Sequence, residues 1–148
     1  MKDSVECDQM DHITCHILDT TKGKPAAGVT CQLYYVSPIV SDADDESLYS
    51  NNNDQAFAMG KTDADGRIKN WNFNPSADLS HLGIDNMKWE TLKPGVYKVK
   101  FLTGKYFWLN KSKTFFPFVE ILFNIESDEH YHIPLLLSNH SYSTYRGS

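Results

Sequence analysis

The chain has no apolar run near the ~20 residues that a membrane-spanning helix needs. Its opening MKDSVECDQMD contains no apolar core of a secretory signal. Neither a membrane partner nor a secretory route is expected. Cysteine is scarce: Cys7, Cys15 and Cys31 cannot all pair within one chain, and no CxxC occurs. A zinc ribbon and a dithiol redox motif are thereby excluded, which leaves reduced thiols as the reading. Basic residues number 14 against 19 acidic ones, for a net charge of −5, and they are scattered along the chain. No surface for a phosphate backbone follows, so nucleic acid is not an expected partner. There is no GxSxG elbow, phosphate loop or dinucleotide fingerprint, and no cofactor is expected.

What is present suits one folded domain: 148 residues, 41% apolar and 13% aromatic. Residues 1–11 are polar and acidic and read as a loose leader ahead of a domain at 12–148. From 12 to 19 the chain alternates, with Ile13, Cys15 and Ile17 on one face and His12, Thr14, His16 and Leu18 on the other. A turn with Gly23 and Pro25 follows, then a β-branched and aromatic strand at 28–37; these two strands are expected to lie side by side, antiparallel. Residues 38–55 form a long acidic, Asn-rich loop. Short strands are expected at 56–61 and 67–73, around a tight turn at Asp63-Ala-Asp-Gly66. A second polar excursion, 74–93, carries one helical turn near His81.

The remaining pattern predicts a strand at 95–102 and a short helix over 103–109, capped by Thr103, with Tyr106 and Leu109 one turn apart. Strands follow at 118–125, 131–137 and 141–148. About eight short strands with turn signals and one helix define an all-β sandwich.

Histidine exchanges protons near neutral pH without a special environment, and there are six. On a strand His12 and His16 lie ~13 Å apart, too far for one metal, and His130 and His132 lie ~7 Å apart on one face. No carboxylate or cysteine completes a familiar ligand spacing, so no metal site is expected. A calcium loop with Gly66 sixth would need Asp at Lys61 and Glu at Asn72, so the Asp63–Gly66 stretch reads as a turn. Taken singly, a strand histidine or an arginine after a turn is most often structural. Composition and spacing reach no further than a β-sandwich with strand histidines.

Four stretches carry a resemblance. HITCHILD (12–19) with GKPAAG (23–28) resembles the opening strand and turn of the transthyretin-related family. KTDADGR (61–67) is similar to its next turn, and 106–123 to its helix and following strand. HIPLLLS (132–138) leading to the terminal Tyr145-Arg146-Gly147-Ser148 resembles the branch of that family that hydrolyses 5-hydroxyisourate. Two features depart from the pattern: the polar segments at 38–55 and 74–93 are long, and Asn139-His140 replaces Pro-Trp or Pro-Tyr.

The resemblance implies a transthyretin-like sandwich of two four-stranded antiparallel sheets with one short helix. It implies a homotetramer whose sites lie at the dimer–dimer interface and accept 5-hydroxyisourate. The catalytic set it implies is His16, Arg67, His132 and Ser148, and the substrate-binding set is His16, Arg67, Tyr145, Arg146 and Gly147. Either histidine could be the general base. A terminal strand can present its last residues at a subunit interface, because no chain follows to obstruct them. The competing expectation is a non-catalytic carrier or assembly protein on the same fold. The cytosol is the first expectation for localisation and the peroxisome the second, since Arg-Gly-Ser is not a Ser-Lys-Leu type address.

Overall fold

The computed structural model describes residues 10–39 and 55–147. The expected leader apart from Met10 and Asp11, nearly all of the 38–55 loop, Cys7 and Ser148 lie outside the described residues.

The described strands are β1 (Ile13–Asp19), β2 (Lys24–Pro25), β3 (Thr30–Ser37), β4 (Ala58–Lys61), β5 (Arg67–Ile68) and β6 (Asn72–Phe73), then β7 (Ile84–Asp85), β8 (Lys88–Trp89), β9 (Gly95–Phe101), β10 (Val119–Ile125), β11 (Tyr131–Leu137) and β12 (Tyr142–Thr144). A helix, α1 (Thr103–Leu109), follows β9, and a 3-10 turn at Ser80–Leu82 contains His81 as expected. The all-β class and the sandwich hold. The first sheet runs β12-β11-β1-β2 with β5 also on β1, the second runs β10-β9-β3-β4-β6, and β7-β8 form a small separate hairpin.

Three details differ from the expectation. Each main sheet counts five strands rather than four. In the first, however, β2 pairs Leu18–Asp19 and β5 pairs Cys15–His16, successive stretches of one edge of β1, so the sheet is four positions wide. The sheets are not wholly antiparallel either, because β1 pairs with β11 in parallel over its whole length, Ile13↔Tyr131 to Asp19↔Leu137. Finally, β1 and β3 are not neighbours but lie in opposite sheets. Alternation assigns each residue a face without naming the adjacent strand. The inward faces of these two strands, Ile13, Cys15 and Ile17 against Cys31 and Leu33, meet in the common core.

The predicted strand at 67–73 is divided for a related reason. Arg67–Ile68 belongs to the first sheet and Asn72–Phe73 to the second, so the backbone between them crosses from one layer to the other. Trp71 anchors the crossing: its indole N–H donates to the Ile13 carbonyl at 2.8 Å, and its backbone N–H donates to the Asp11 carboxylate at 2.7 Å. Burial raises the Asp11 pKa, with the Trp71 N–H acting against it.

The core is apolar and aromatic. Phe57, Tyr97, Phe123 and Trp89 form edge-to-face and stacked contacts between 5.7 and 6.2 Å, a geometry that adds about 0.5–1.5 kcal/mol per pair beyond area burial. Cys15 and Cys31 are buried and unpaired, and desolvation pushes both thiols up.

Helix α1 forms where expected, but Thr103 does not cap it. Leu102 occupies the cap position without a side-chain bond, and the buried Thr103 hydroxyl makes no hydrogen bond. Leu109 is 58% exposed and does not join Tyr106 on the buried side, where Phe107 sits instead. What holds the helix is Tyr106, whose hydroxyl donates to the buried Asp19 carboxylate at 2.8 Å. Asp19 also accepts the Lys22 N–H at 3.1 Å, closing the β1–β2 turn. Tyr106→Phe therefore strips a buried carboxylate of one donor. It is expected to destabilise the fold by about 1–3 kcal/mol, read as a lower urea midpoint with an unchanged slope.

Candidate active site

The outward face of the first sheet carries the polar residues that alternation assigned to it. In the parallel register Thr14 lies opposite His132 and His16 opposite Pro134. The parallel pair therefore sets His16 diagonally beside His132, with ring centroids 6.4 Å apart. His130, one residue before β11, stacks on His132 at the same separation, close to the ~7 Å expected from strand spacing.

Arg67 arrives from the other edge. The tight turn at Asp63–Gly66 is present: the Asp63 carboxylate accepts the N–H groups of Asp65 and Arg67 at 2.9 and 3.0 Å, and the Gly66 N–H donates to the Asp63 carbonyl at 2.9 Å. Gly66 is required here. Its φ is +75°, and a Cβ would lie 2.5 Å from the Ile17 carbonyl oxygen. The turn delivers Arg67 directly opposite His16 on β1.

The C-terminal tail closes a third side. Gly147 N–H donates to the His132 carbonyl at 3.0 Å, in an antiparallel bridge. A Cβ on Gly147 would fall 2.7 Å from His132 Cδ2, so glycine lets the tail press onto the imidazole. Thr14, Arg67, His130 and His132 line a cavity of about 150 Å³, together with Met10 and Lys69.

The electrostatics favour neutral imidazoles. The pKa of His132 is lowered by desolvation first, then by Arg67, His130 and His16. That of His16 is lowered by desolvation and then by Arg67, against smaller opposing contributions from Asp63 and Asp65. His130 is lowered by desolvation and by His12.

Within one chain, then, His16, Arg67, His132 and Gly147 come together. Tyr145 and Arg146 do not join them. Tyr145 is 60% exposed and lines, with Arg146, a different cleft of about 310 Å³ between β10 and the β11–β12 edge. Arg146 lies over the Tyr131 ring at 4.6 Å and pairs with Glu129 at 3.4 Å. Two residues of the cluster were not among the sequence candidates. Thr14 shares the face of His16 by simple alternation, and His130 was weighed only as a metal ligand. Among the described residues no group of three or more His, Cys, Asp or Glu side chains is placed to hold a metal ion.

A β-sandwich with two histidines and an arginine converging on the outside of one sheet is the class of structure defined so far. The sequence profile of the HIUase/Transthyretin family matches residues 13–147, and the chain belongs to that family. A probable 5-hydroxyisourate hydrolase of Schizosaccharomyces pombe is 38% identical over 138 residues, covering 92% of this chain and 90% of the relative. The 5-hydroxyisourate hydrolase of Salmonella typhimurium is 39% identical over 138 residues, covering 92% and 80%. Among solved structures, the 5-hydroxyisourate hydrolase of Klebsiella pneumoniae superposes with a TM-score of 0.64 at 28% identity, covering 93% of this chain and all of that one. Sea bream transthyretin in complex with thyroxine superposes with a TM-score of 0.62, also at 28% identity, covering 93% and 95%.

Arg67→Gln removes the cation that disfavours both imidazolium forms. The titration midpoints of His16 and His132 are expected to rise together, as followed by NMR of the ring protons.

Proposed function

We propose that this chain hydrolyses 5-hydroxyisourate, adding water across a ring amide to give 2-oxo-4-hydroxy-4-carboxy-5-ureidoimidazoline in urate degradation. The observation that carries the reading is the convergence of two imidazoles, His16 and His132, on the Arg67 guanidinium, where burial and then Arg67 push both pKa values down. Relatives named as 5-hydroxyisourate hydrolases, at 38–39% identity over 92% of this chain, support it.

In this scheme His132 takes a proton from water as the water oxygen attacks the ring carbonyl. A base so placed contributes about 10²–10⁴-fold. Arg67 holds the developing oxyanion with planar, permanently charged donors, a contribution of about 2.7–4 kcal/mol in the transition state. The ring C–N bond then breaks, the His132 proton passes to the departing nitrogen, and a carboxylate remains. His16 binds substrate beside the base. Gly147 seats the tail, and Ser148 completes the catalytic set.

The active assembly is a homotetramer, with Tyr145 and Arg146 supplied across the dimer–dimer interface. Two features support this. The histidine face is an open wall of one sheet, and Tyr145 and Arg146 of the same chain lie around its edge rather than in the cluster. Among the described residues no helix is long and apolar enough to cross a membrane. The compartment remains the one expected from the sequence, the cytosol, with the peroxisome as the alternative.

The carrier reading has one observation in its favour, the likeness to a transthyretin bound to thyroxine. Arg67 would pair with an anionic ligand on either reading; two imidazoles biased toward their neutral form beside it favour proton transfer over binding alone.

The test follows the ultraviolet absorbance of freshly generated 5-hydroxyisourate. Decay with wild-type protein is expected to exceed the buffer rate. It should fall about 10²-fold or more in His132→Ala and in Arg67→Ala, with fold and assembly retained. Decay at the buffer rate from assembled wild type, together with thyroxine binding, would establish the carrier instead. The pH profile has a defined sign. Only neutral imidazole accepts a proton, and both pKa values are depressed, so kcat/KM should stay flat through neutral pH. It should fall only below the ordinary histidine midpoint of ~6.5.

A further inference from the structure

Thr14 is 3% exposed, and its hydroxyl oxygen touches two ring nitrogens at once: His132 Nδ1 at 2.7 Å and His130 Nε2 at 3.0 Å. A hydroxyl carries one proton and two lone pairs, so it can donate to at most one ring and must accept from at least one. With the Thr14 proton directed at a ring, two arrangements of neutral rings satisfy both contacts; with it directed elsewhere, the hydroxyl accepts from both rings and His132 again carries its proton on Nδ1. In the first, Thr14 donates to His132 Nδ1; His132 then bears its proton on Nε2, and its remaining lone pair is consumed. In the second, Thr14 donates to His130 Nε2, and His132 Nδ1–H donates to Thr14. His132 Nε2 is then unprotonated and free.

We propose that His130, acting through the Thr14 hydroxyl, holds His132 in the Nδ1–H tautomer and so makes its Nε2 the basic atom of the site. His130 and Thr14 are positioning residues in this scheme. Its functional meaning rests on the hydrolase reading above, but the tautomer itself does not.

Three observations converge on the second arrangement. Nδ1 of His132 points into the buried Thr14 contact and is closed to substrate. The opposite edge of the ring, at Cδ2, faces Gly147, so the adjacent Nε2 lies on the Gly147 side of the ring, away from the Thr14 contact. Protonation at Nε2 also leaves every bond in the His130–Thr14–His132 chain unchanged, whereas in the first arrangement the ring can take a proton only at Nδ1, which requires the Thr14 proton to turn away. The charged and titratable groups facing His132 are Arg67 from β5, His16 from β1 and His130, with Lys69 lining the same cavity. None of them approaches Nδ1 in place of Thr14. Alternation placed Thr14 on the outward face of the first strand, and strand spacing placed His130 and His132 on one face of another; that the two faces adjoin is shown only by the parallel pairing.

The experiment is a long-range proton–nitrogen NMR correlation on protein labelled in its histidines, paired with steady-state kinetics on 5-hydroxyisourate. In wild type, His132 is expected to show a protonated Nδ1 and an unprotonated Nε2. Thr14→Val removes the acceptor, and His130→Phe frees the threonine proton to point at His132. Both should move His132 toward the Nε2–H form and lower kcat by about tenfold to a hundredfold, with little change in KM. Thr14→Ser keeps the hydroxyl and His130→Gln supplies an amide oxygen as acceptor in place of Nε2, and both should restore the wild-type ring signature and most of kcat. An Nε2–H signature in wild type, or an unchanged one in folded Thr14→Val and His130→Phe, would overturn the proposal. The ring readout needs no turnover. A protein with the expected tautomer and no hydrolysis would therefore refute the hydrolase reading and leave the tautomer assignment standing.

Discussion

Everything at this site hangs on the parallel pairing of β1 with β11. That single ladder sets Thr14 beside His132 and brings His16 within one diagonal of it, across sequence separations of more than a hundred residues. No turn or local motif holds the imidazoles together. Backbone hydrogen bonds fix the register, and a one-residue slip would send one histidine into the core and its neighbours out. The inward residues of the same strands, Ile13, Ile17, Ile133 and Leu135, enforce that register by burial. Core and site are thus two faces of one constraint.

The other edge of β1 is divided between two short strands, and the division is functional. β2 covers the end next to Asp19, where Tyr106 docks the helix; β5 covers the end next to His16, where Arg67 is delivered. The Asp63–Gly66 turn matters because it starts β5 opposite His16; the strand ends after two residues, and the chain passes into the crossing anchored by Trp71. A longer β5 would keep residues 69–73 in the first sheet and leave the second sheet without β6.

Faces were legible in the sequence and neighbours were not. Alternation at 12–19 separated His16 and Thr14 from Ile13, Cys15 and Ile17, and the strand at 131–137 was legible to the residue. The turn at Asp63–Gly66 followed from Asp and Gly chemistry alone. The partner of β1 did not, because hydrophobic period assigns a side and not a neighbour; the nearest strand in sequence proved to lie in the opposite sheet. The strand at 67–73 was misjudged because layer crossings carry no periodicity of their own. His16, Arg67 and His132 became candidates only through family resemblance, since each is unremarkable singly. Thr14 went unnoticed because a threonine on a strand is ordinary until two rings share its hydroxyl.

The pairing of β1 with a strand so late in the chain also bears on how the molecule is made. Contact order is high for the very strands that build the site, and such long-range ladders close slowly. During synthesis β1 has partners for one edge once residue 68 has emerged, but its other edge stays open until β11 arrives. An unpaired central edge with an apolar face is a template for association with other chains. On this topology the nascent protein is most vulnerable to aggregation over the stretch between those two events, and a pause in translation there would lengthen that exposure.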